Sequence, residues 1–364
     1  MREVEPLRSR VDRVLGEYLA ARLDEVGTPG GGAGDGHRDL AEREFVSQIA
    51  DLITRGGKRL RSVLSVLGSM GTGAAADDEI VRASACLELL HACALIHDDV
   101  MDRSETRRGG ATVHRWFAAR HADGAWRGDA VQFGAGAAIA AGDLCLVWAD
   151  RLLRESGLAA AALERGRPVY DAMRAETIRG QYLDLAAQAG GWFDLDDALT
   201  VARAKTAACT TTGPLRFGGT LAGASADLLA AYEAYGLALG LAFQLRDDLL
   251  GAFADPAVIG KPSGDDLRDG KCTVLLAETY QRLDPPGRLH LRRLTDAGER
   301  DAVPQIRGLM IETGARDAVQ ERIEQLGKRA VEALGGGAGS RGGVAIDAAV
   351  RESLTGLVGA VTED

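Results

Sequence analysis

The sequence contains few aromatic side chains and has no excess of positive charge. Only 5% of its 364 residues are Phe, Trp or Tyr, and its many Ala- and Leu-rich stretches favour helix over strand. The net charge of -10 argues against a general nucleic-acid binder, because such a protein needs basic surface to neutralise phosphates. Any anionic ligand is therefore expected to be held by a local cluster of cations.

Signals for secretion and membrane insertion are missing as well. No apolar run is expected to reach the length of a membrane span, about 18 residues, and the first ten residues, MREVEPLRSR, lack the apolar core of a signal peptide. The five cysteines stand singly, without the spacing of a zinc site or the density of a disulfide framework. These absences predict a cytoplasmic protein with no integral membrane segment and with reduced, mostly buried thiols.

Helical periodicity covers most of the chain, and no stretch is typical of a strand. Glycine-rich stretches at 27–36 and 335–343 are expected to be mobile loops within a single all-α domain spanning residues 1–364, with a last short helix after the second loop. Helical patterns occur at 1–25, 39–54, 60–70, 78–103, 136–156, 168–189, 196–209, 215–223, 227–253, 271–282, 302–312 and 315–334.

An acidic pair lies at the end of the long apolar helix predicted at 78–103. Asp98 and Asp102 are four residues apart, so they project from one helix face. Two like charges one turn apart repel each other, and the arrangement makes most sense if a hard cation bridges them. A solvated helix end is the alternative explanation when this pair is taken alone.

A second acidic pair, Asp247 and Asp248, again follows a long apolar helix and again precedes a break, at Asp255-Pro256. Magnesium keeps few protein ligands and takes the others from water and substrate phosphates. Carboxylates on two helix ends therefore suit a diphosphate that is clamped through several magnesium ions.

Basic residues accompany these acidic pairs. The GGKRLR segment at 56–61 places cations on a glycine-rich turn that enters a helix, where backbone donors also favour anions. RRGG at 107–110 follows the first acidic pair, and Lys205-Thr206, Lys261 and Lys271 supply further donors. Each cluster alone is typical of a solvated surface, whereas together with both acidic pairs they indicate a diphosphate site.

The ordered motifs resemble those of trans-isoprenyl diphosphate synthases, the polyprenyl synthetase family, and geranylgeranyl diphosphate synthases in particular. The resemblance covers about residues 50–280 and includes FQLRDD at 243–248 and GKPSGDDLRDGK at 260–271. It implies an isoprenoid synthase-type helical bundle around a central apolar cavity, assembled as a homodimer. It also implies a magnesium-dependent, head-to-tail condensation of isopentenyl diphosphate with an allylic diphosphate (dimethylallyl, geranyl or farnesyl).

Roles for individual residues follow from the resemblance. The expected product is geranylgeranyl diphosphate, with a longer or shorter polyprenyl diphosphate as the alternative, and three magnesium ions are expected with substrate bound. The ions would be held by Asp98, Asp102 and Asp247, with Asp99 and Asp248 either ligating or orienting the inner shell. The implied catalytic residues are Asp98, Asp99, Asp102, Asp247, Asp248 and Lys205; Lys58, Arg61, His91 and Arg108 would bind isopentenyl diphosphate; Arg107, Lys205, Thr206, Gln244, Lys261 and Lys271 would hold the allylic diphosphate.

Two positions depart from the family pattern. Gly251 stands where some relatives carry a third Asp, which removes a carboxylate from the face of Asp247. Ser62 follows the GGKRLR segment where proline is frequent. We expect catalysis to survive both departures. His97, unlike His91, is expected to be a hydrogen-bonded core residue.

Three other functions compete with this interpretation. A class I terpene cyclase also uses an Asp-rich helix end, but the sequence has no motif of the Asn-Ser-Glu kind. A head-to-head condensing synthase has no use for a dedicated isopentenyl diphosphate site. A non-catalytic regulatory subunit of another synthase has no need of both acidic pairs and every cationic cluster.

Small side chains next to the first acidic pair bear on product length. Ala94 and Cys93 stand four and five residues before Asp98, and so lie about one turn, roughly 5 Å, deeper than the metal ligand. They are expected to line the pocket for the growing tail. Leu90 and Leu87, the next residues on this stripe, are bulkier and are expected to stop growth one or two turns further down, beyond the farnesyl length. Close packing of a neighbouring helix is the alternative explanation for the small residues.

Overall fold

The structure of the chain is a computed structural model that describes residues 3–26, 36–254, 264–268, 270–298, 300–335 and 345–362. Most of both glycine-rich stretches, 27–36 and 335–343, lies outside the described residues, as does Lys261. The regular structure is almost entirely helical, which confirms the all-α fold class.

Helices follow one another along the described chain. In chain order they are α1 (Val4–Glu25), α2 (Gly36–Thr54), α3 (Leu60–Met70), α4 (Asp78–Met101), α5 (Val113–Asp123), α6 (Ala130–Arg154), α7 (Ala160–Gly190), α8 (Leu195–Val201), a π-helix (Ala202–Thr212), α9 (Gly213–Leu221), α10 (Ala226–Phe253), α11 (Asp265–Arg268), α12 (Val274–Arg282), α13 (Pro285–Ala297), a short 3₁₀ helix (Arg300–Ala302), α14 (Val303–Glu312), α15 (Ala315–Ala333) and α16 (Ala348–Thr362).

The described chain forms two compact units. The first unit comprises residues 4–66 and 76–159, and the second comprises residues 67–75 and the chain from 160 onward. The prediction of one domain spanning the whole chain stays a prediction.

In the first unit, α4 packs along α6, and α1 and α5 pack against this pair. Helix α4 starts at Asp77, whose carboxylate accepts a hydrogen bond of 2.9 Å from the backbone N–H of Ile80. Asp78 and Glu79 follow in its first turn, where the helix dipole favours negative charge. Most of the apolar residues of α4 are buried, as expected of a helix with neighbours on several sides.

In the second unit, α10 is the central helix and packs against the π-helix and α15. Two buried tyrosines of α10 anchor it to segments far away in the sequence. The Tyr232 hydroxyl donates to the carbonyl oxygen of Gly68 at 3.0 Å, and the Tyr235 hydroxyl donates to that of Leu354 at 2.8 Å. Because a buried hydroxyl without a partner is costly, these bonds specify how the helices of the unit pack.

Several of the described elements differ from the sequence-based prediction. A two-residue hairpin, β1 (Thr106–Arg107) and β2 (Gly110–Ala111), occurs where no strand was expected. Helices α5, α11 and α13 were also missed. For α13 the sequence carried a usable signal, because Asp284 caps the N–H of Gly287 at 2.8 Å and is followed directly by two prolines.

Among the described residues, three helices, α4, α6 and α10, are long and apolar enough to cross a membrane when only length and composition are considered. The buried share of the most apolar 18-residue stretch is 72% in α4, 28% in α6 and 61% in α10. The expectation that no segment reaches this length is therefore wrong, and composition alone does not exclude a span.

All five cysteines lie in the described residues. Each is buried, and no disulfide joins any two of them. This confirms the prediction of buried thiols.

Candidate active site

The first acidic motif lies at the C-terminal end of α4. Asp98 and Asp102 are half-buried, and the backbone N–H of Asp102 donates to the Asp98 carbonyl oxygen at 2.8 Å, so the two residues are one helical turn apart. Two carboxylates at this end meet the negative pole of the helix dipole as well as each other. Arg107 supplies part of the compensating charge, since its Nη2 lies 3.9 Å from Oδ2 of Asp98, and a bound cation would supply more.

Asp99, between these two residues, has different surroundings. It is buried, and its Oδ1 accepts a hydrogen bond of 2.9 Å from Nε of Arg107. Burial raises the pKa of Asp99, and the Arg107 guanidinium opposes that shift. The arrangement suits Asp99 to orienting the motif through Arg107 more than to contacting a ligand at the helix surface.

The two adjacent arginines of RRGG bind different partners because of the hairpin turn. Arg108 and Gly109 form the loop between β1 and β2, with φ angles of 52° and 74°, as in the tight turns that suit a two-residue hairpin. Arg107 pairs with Asp99, whereas Nη1 of Arg108 donates to the carbonyl oxygen of Leu52 at 2.9 Å. The turn thus separates the two guanidinium groups that the family resemblance assigns to two different diphosphates.

The GGKRLR segment forms a second unusual turn in the first unit. Gly56, Gly57 and Arg59 all have positive φ angles, of 104°, 136° and 49°. Lys58 is exposed and Arg61 is half-buried, whereas Arg59 is buried. Two of the three basic side chains therefore remain accessible to a ligand.

His91 lies among these cations. Burial lowers its pKa well below the usual value, and the charges of Arg61, Arg108, Arg107 and Arg59 lower it further. The ring is therefore neutral at pH 7, and it can bind a ligand by hydrogen bonding but not as a cation. Arg61, His91 and Arg108, three of the four residues expected to bind isopentenyl diphosphate, thus influence one another in the folded chain.

The second acidic motif repeats this arrangement in the second unit. Asp247 is exposed, whereas Asp248 is buried and its Oδ1 accepts a hydrogen bond of 2.8 Å from Nε2 of Gln244. The hydroxyl of Thr206 donates to Oε1 of the same amide. In both motifs the first carboxylate is accessible and the second is buried and held by a polar neighbour.

Burial raises the pKa of Asp248 to about 7, and the nearby carboxylates of Asp266, Asp247 and Asp184 contribute to this shift. So much negative charge around one buried carboxyl needs compensation. Lysines supply part of it, because Nζ of Lys205 donates to Asp184 at 2.7 Å, and Nζ of Lys271 lies 3.5 Å from Asp266.

The π-helix carries Lys205 and Thr206, and its wider turn is a feature that often marks functional sites. Glycines let it pack closely against two helices. A Cβ on Gly180 of α7 would lie 2.4 Å from the Lys205 backbone nitrogen, and one on Gly240 of α10 would lie 2.6 Å from Ala207 Cα. Larger residues at these positions would displace the segment that holds Lys205.

Two residues of this site, Asp184 and Asp266, were not singled out from the sequence. Asp266 lies inside GKPSGDDLRDGK, where two consecutive carboxylates between a lysine at each end were a usable signal. Asp184 gave no signal, because only the packing of α7 against the π-helix brings it to Lys205.

Hard oxygen donors are what a magnesium ion would require here, and the motifs offer them. Oδ2 of Asp99 is buried without a hydrogen-bond partner among the described residues, and Asp98 and Asp102 present carboxylates beside it. Within the described parts of the chain, no three His, Cys, Asp or Glu side chains converge on one point. Carboxylates in pairs fit magnesium, because that ion completes its shell with water and phosphate oxygens.

The positions expected to set product length differ in burial. Cys93 and Leu90 are buried, and Sγ of Cys93 lies 3.8 Å from Nδ1 of His97. Ala94 is half-buried, like His91 and Asp98. His97 is bound to the body of the unit, with Nε2 3.1 Å from the carbonyl oxygen of Ile139 on α6.

Comparison with known proteins decides the family. The model of the polyprenyl synthetase family matches residues 43–310. The chain belongs to the polyprenyl synthetase family. Its relatives share one chemistry, and the chain is accordingly a trans-prenyl diphosphate synthase.

The relatives of this polyprenyl synthetase make products of several lengths. A geranylfarnesyl diphosphate synthase of Aeropyrum pernix is 32% identical over 288 residues, which are 78% of this chain and 84% of the relative. A (2E,6E)-farnesyl diphosphate synthase of Mycobacterium tuberculosis is 38% identical over 234 residues, which are 64% of this chain and 59% of the relative.

A solved structure is similar over nearly the whole chain. The geranylgeranyl pyrophosphate synthase of Corynebacterium glutamicum, complexed with isoprenyl diphosphate and magnesium, matches with a TM-score of 0.88 at 36% identity, covering 99% of each chain.

Proposed function

We propose that this polyprenyl synthetase condenses isopentenyl diphosphate head to tail with an allylic diphosphate and releases geranylgeranyl diphosphate. The observation that carries the proposal is the cluster of cations at the GGKRLR turn, where a Cβ on Gly57 would lie 3.1 Å from Nη2 of Arg108, in the same unit as the accessible pair Asp98 and Asp102. A cationic set of this kind suits a diphosphate that is bound directly by guanidinium groups.

Lys58, Arg61, His91 and Arg108 are proposed to bind isopentenyl diphosphate. Arg107, Lys205, Thr206, Gln244 and Lys271 are proposed to bind the allylic diphosphate and to stabilise the negative charge that develops as it leaves. Lys261 lies outside the described residues, so its assignment to this group stays a prediction. The proton lost after carbon–carbon bond formation is assigned to the departing diphosphate, because the sequence offers no obvious side-chain base.

Magnesium, when bound through Asp98, Asp102 and Asp247, supplies the positive charge that neutralises the leaving group. Three ions are proposed in the complex with substrate. Asp99 and Asp248 are proposed to orient the metal-binding carboxylates through their buried hydrogen bonds with Arg107 and Gln244.

A homodimer is proposed through the outer face of α6. Gly136, Ile139, Ala140 and Val147 share the exposed side of this helix, and the two large residues among them, Ile139 and Val147, are 49% and 60% exposed. Large apolar residues exposed in a row along a helix are typical of a subunit interface. Contact with a second copy would also cover the exposed apolar residues of α6. We further propose a cytoplasmic protein with no integral membrane segment.

The test is incorporation of radiolabelled isopentenyl diphosphate with each allylic starter, with and without magnesium, followed by chromatography of the dephosphorylated products. We expect magnesium-dependent incorporation that ends at the geranylgeranyl alcohol. Absence of incorporation would contradict the synthase, and a cyclised or head-to-head product would identify the competing chemistry. A different chain length would overturn only the product assignment.

A further inference from the structure

Helix α1 lies outside residues 43–310, the part of the chain that the family model matches. One of its side chains nevertheless reaches the GGKRLR segment. Nε of Arg59 donates to Oδ1 of Asp12 at 2.7 Å. The contact joins residues that are 47 positions apart, and Asp12 is half-exposed whereas the Arg59 side chain is only 4% exposed.

Arg59 is bound from three directions. Besides Asp12, its Nη2 donates to the carbonyl oxygen of Ile53 at 2.6 Å, and its Nη1 lies 3.8 Å from Oε2 of Glu88 on α4. These contacts tie together α1, the end of α2 and the middle of α4. A buried guanidinium needs such partners, because desolvation without them is costly.

The backbone of Arg59 explains why this anchoring concerns the ligand site. Its φ of 49° is in the left-handed region, which residues other than glycine rarely adopt. Burying Arg59 in this conformation leaves Lys58 exposed on one side and Arg61 half-buried on the other. Loss of an Arg59 partner would therefore relax the turn and misplace both neighbouring cations.

Ser62 belongs to the same network, and its contacts explain why serine stands here in place of the proline that is frequent in the family. Its backbone N–H donates to Oε1 of Glu88 at 3.3 Å, and its hydroxyl donates to the carbonyl oxygen of Ser84 at 2.8 Å. Proline has no N–H and could not form the first of these bonds. In this chain the residue after GGKRLR therefore binds the carboxylate that faces Arg59.

We propose that Asp12 is a positioning residue for isopentenyl diphosphate, acting through Arg59 on Lys58 and Arg61. Helix α1 is thereby a working part of that site. The inference rests on the proposed function, since it assumes that Lys58 and Arg61 bind this substrate. Asp12 itself touches neither the substrate nor the metal-binding carboxylates.

The test compares Asp12→Asn with Asp78→Asn. The control is matched, because Nη2 of Arg10 on α1 pairs with Oδ1 of Asp78 at 2.8 Å and so ties the same helix to α4 away from GGKRLR. In Asp12→Asn we expect KM for isopentenyl diphosphate to rise about three- to tenfold, as loss of one partly buried ion pair allows. The kcat and the KM for the allylic substrate should stay within about twofold, and Asp78→Asn should change neither KM.

Asp12→Glu retains a carboxylate and is expected to recover much of the affinity for isopentenyl diphosphate. Thermal unfolding of all variants separates a general loss of stability from the specific effect. An unchanged KM in Asp12→Asn, or an equal rise in Asp78→Asn, would overturn the positioning role. Failure of the wild-type protein to use isopentenyl diphosphate would instead contradict the proposed function.

Discussion

A Cβ on Gly251 would lie 3.4 Å from Oδ2 of Asp266. The Asp266 carboxylate thus lies beside the position where some members of the family carry a third Asp on the same helix as Asp247. Nζ of Lys271 is 3.5 Å from its Oδ1. We expect Asp266 to supply the negative charge that Gly251 lacks.

Asp266→Asn should therefore raise the magnesium concentration needed for half-maximal activity by about tenfold, in the range expected for losing one carboxylate near a metal. Adding Gly251→Asp to this variant should recover much of the loss. Magnesium titrations of the two single variants and the double variant check this. Equal magnesium requirements in wild type and Asp266→Asn would contradict the inference that Asp266 supplies the carboxylate that position 251 lacks.

Asp98→Ala and Asp247→Ala should each lower kcat by orders of magnitude, on the order of 10³-fold, because each removes an accessible metal-binding carboxylate from a helix end. Circular dichroism should show an unchanged helix content. Asp227→Ala, an exposed carboxylate at the other end of α10, serves as the control and should retain activity. Full activity in either site variant would refute the metal assignment.

Arg108→Ala should raise KM for isopentenyl diphosphate more than KM for the allylic substrate. Arg107→Ala should do the reverse and also lower kcat, since Arg107 holds Asp99. For each variant, the KM for isopentenyl diphosphate is divided by the KM for the allylic substrate. This ratio should differ about tenfold between Arg108→Ala and Arg107→Ala, the usual effect of losing one charge-assisted contact. Initial rates with each substrate varied in turn measure it. Equal effects on both constants in both variants would refute the two separate sites.

Product length should respond to substitutions on α4. Ala94→Phe and Cys93→Phe are expected to shorten the product at retained turnover, and Leu90→Ala to lengthen it, because a bulky side chain would form the floor of the tail pocket. The half-buried position of Ala94 suggests the larger effect, since Cys93 packs against His97. Chromatography of the products decides. An unchanged distribution in all three variants would assign these residues to helix packing alone.

The neutral His91 should make the protein less stable in mild acid. Its folded-state pKa is lowered by burial and by the surrounding arginines, so below its ordinary pKa of 6.5 the unfolded chain binds a proton that the folded chain does not. Each pH unit below that value should cost up to about 1.4 kcal/mol of unfolding free energy. His91→Gln should remove this contribution to the slope of the unfolding free energy against pH. Urea unfolding between about pH 5 and 7.5 measures it, and identical slopes would contradict the lowered pKa.

The helical fold and the motifs were predictable because both depend on local sequence. The positions of Asp98 and Asp102 on one face follow from helical spacing alone, and their accessibility agrees with that spacing. The β1–β2 hairpin was missed because two-residue strands leave no periodicity. Its loop at Arg108 and Gly109 is nevertheless what directs Arg107 and Arg108 to different partners.

The sequence by itself determined that this chain is helical, that it carries two acidic motifs with matching cationic segments, and that Asp98 and Asp102 share a face. Each of these properties is set by neighbours within a turn or two of helix. Only the tertiary structure decided that Asp99 and Asp248 are buried. It likewise decided that Asp184 pairs with Lys205 and that Asp12 holds Arg59. Those contacts join residues far apart in the chain, and they form only when packing of whole helices brings the side chains together.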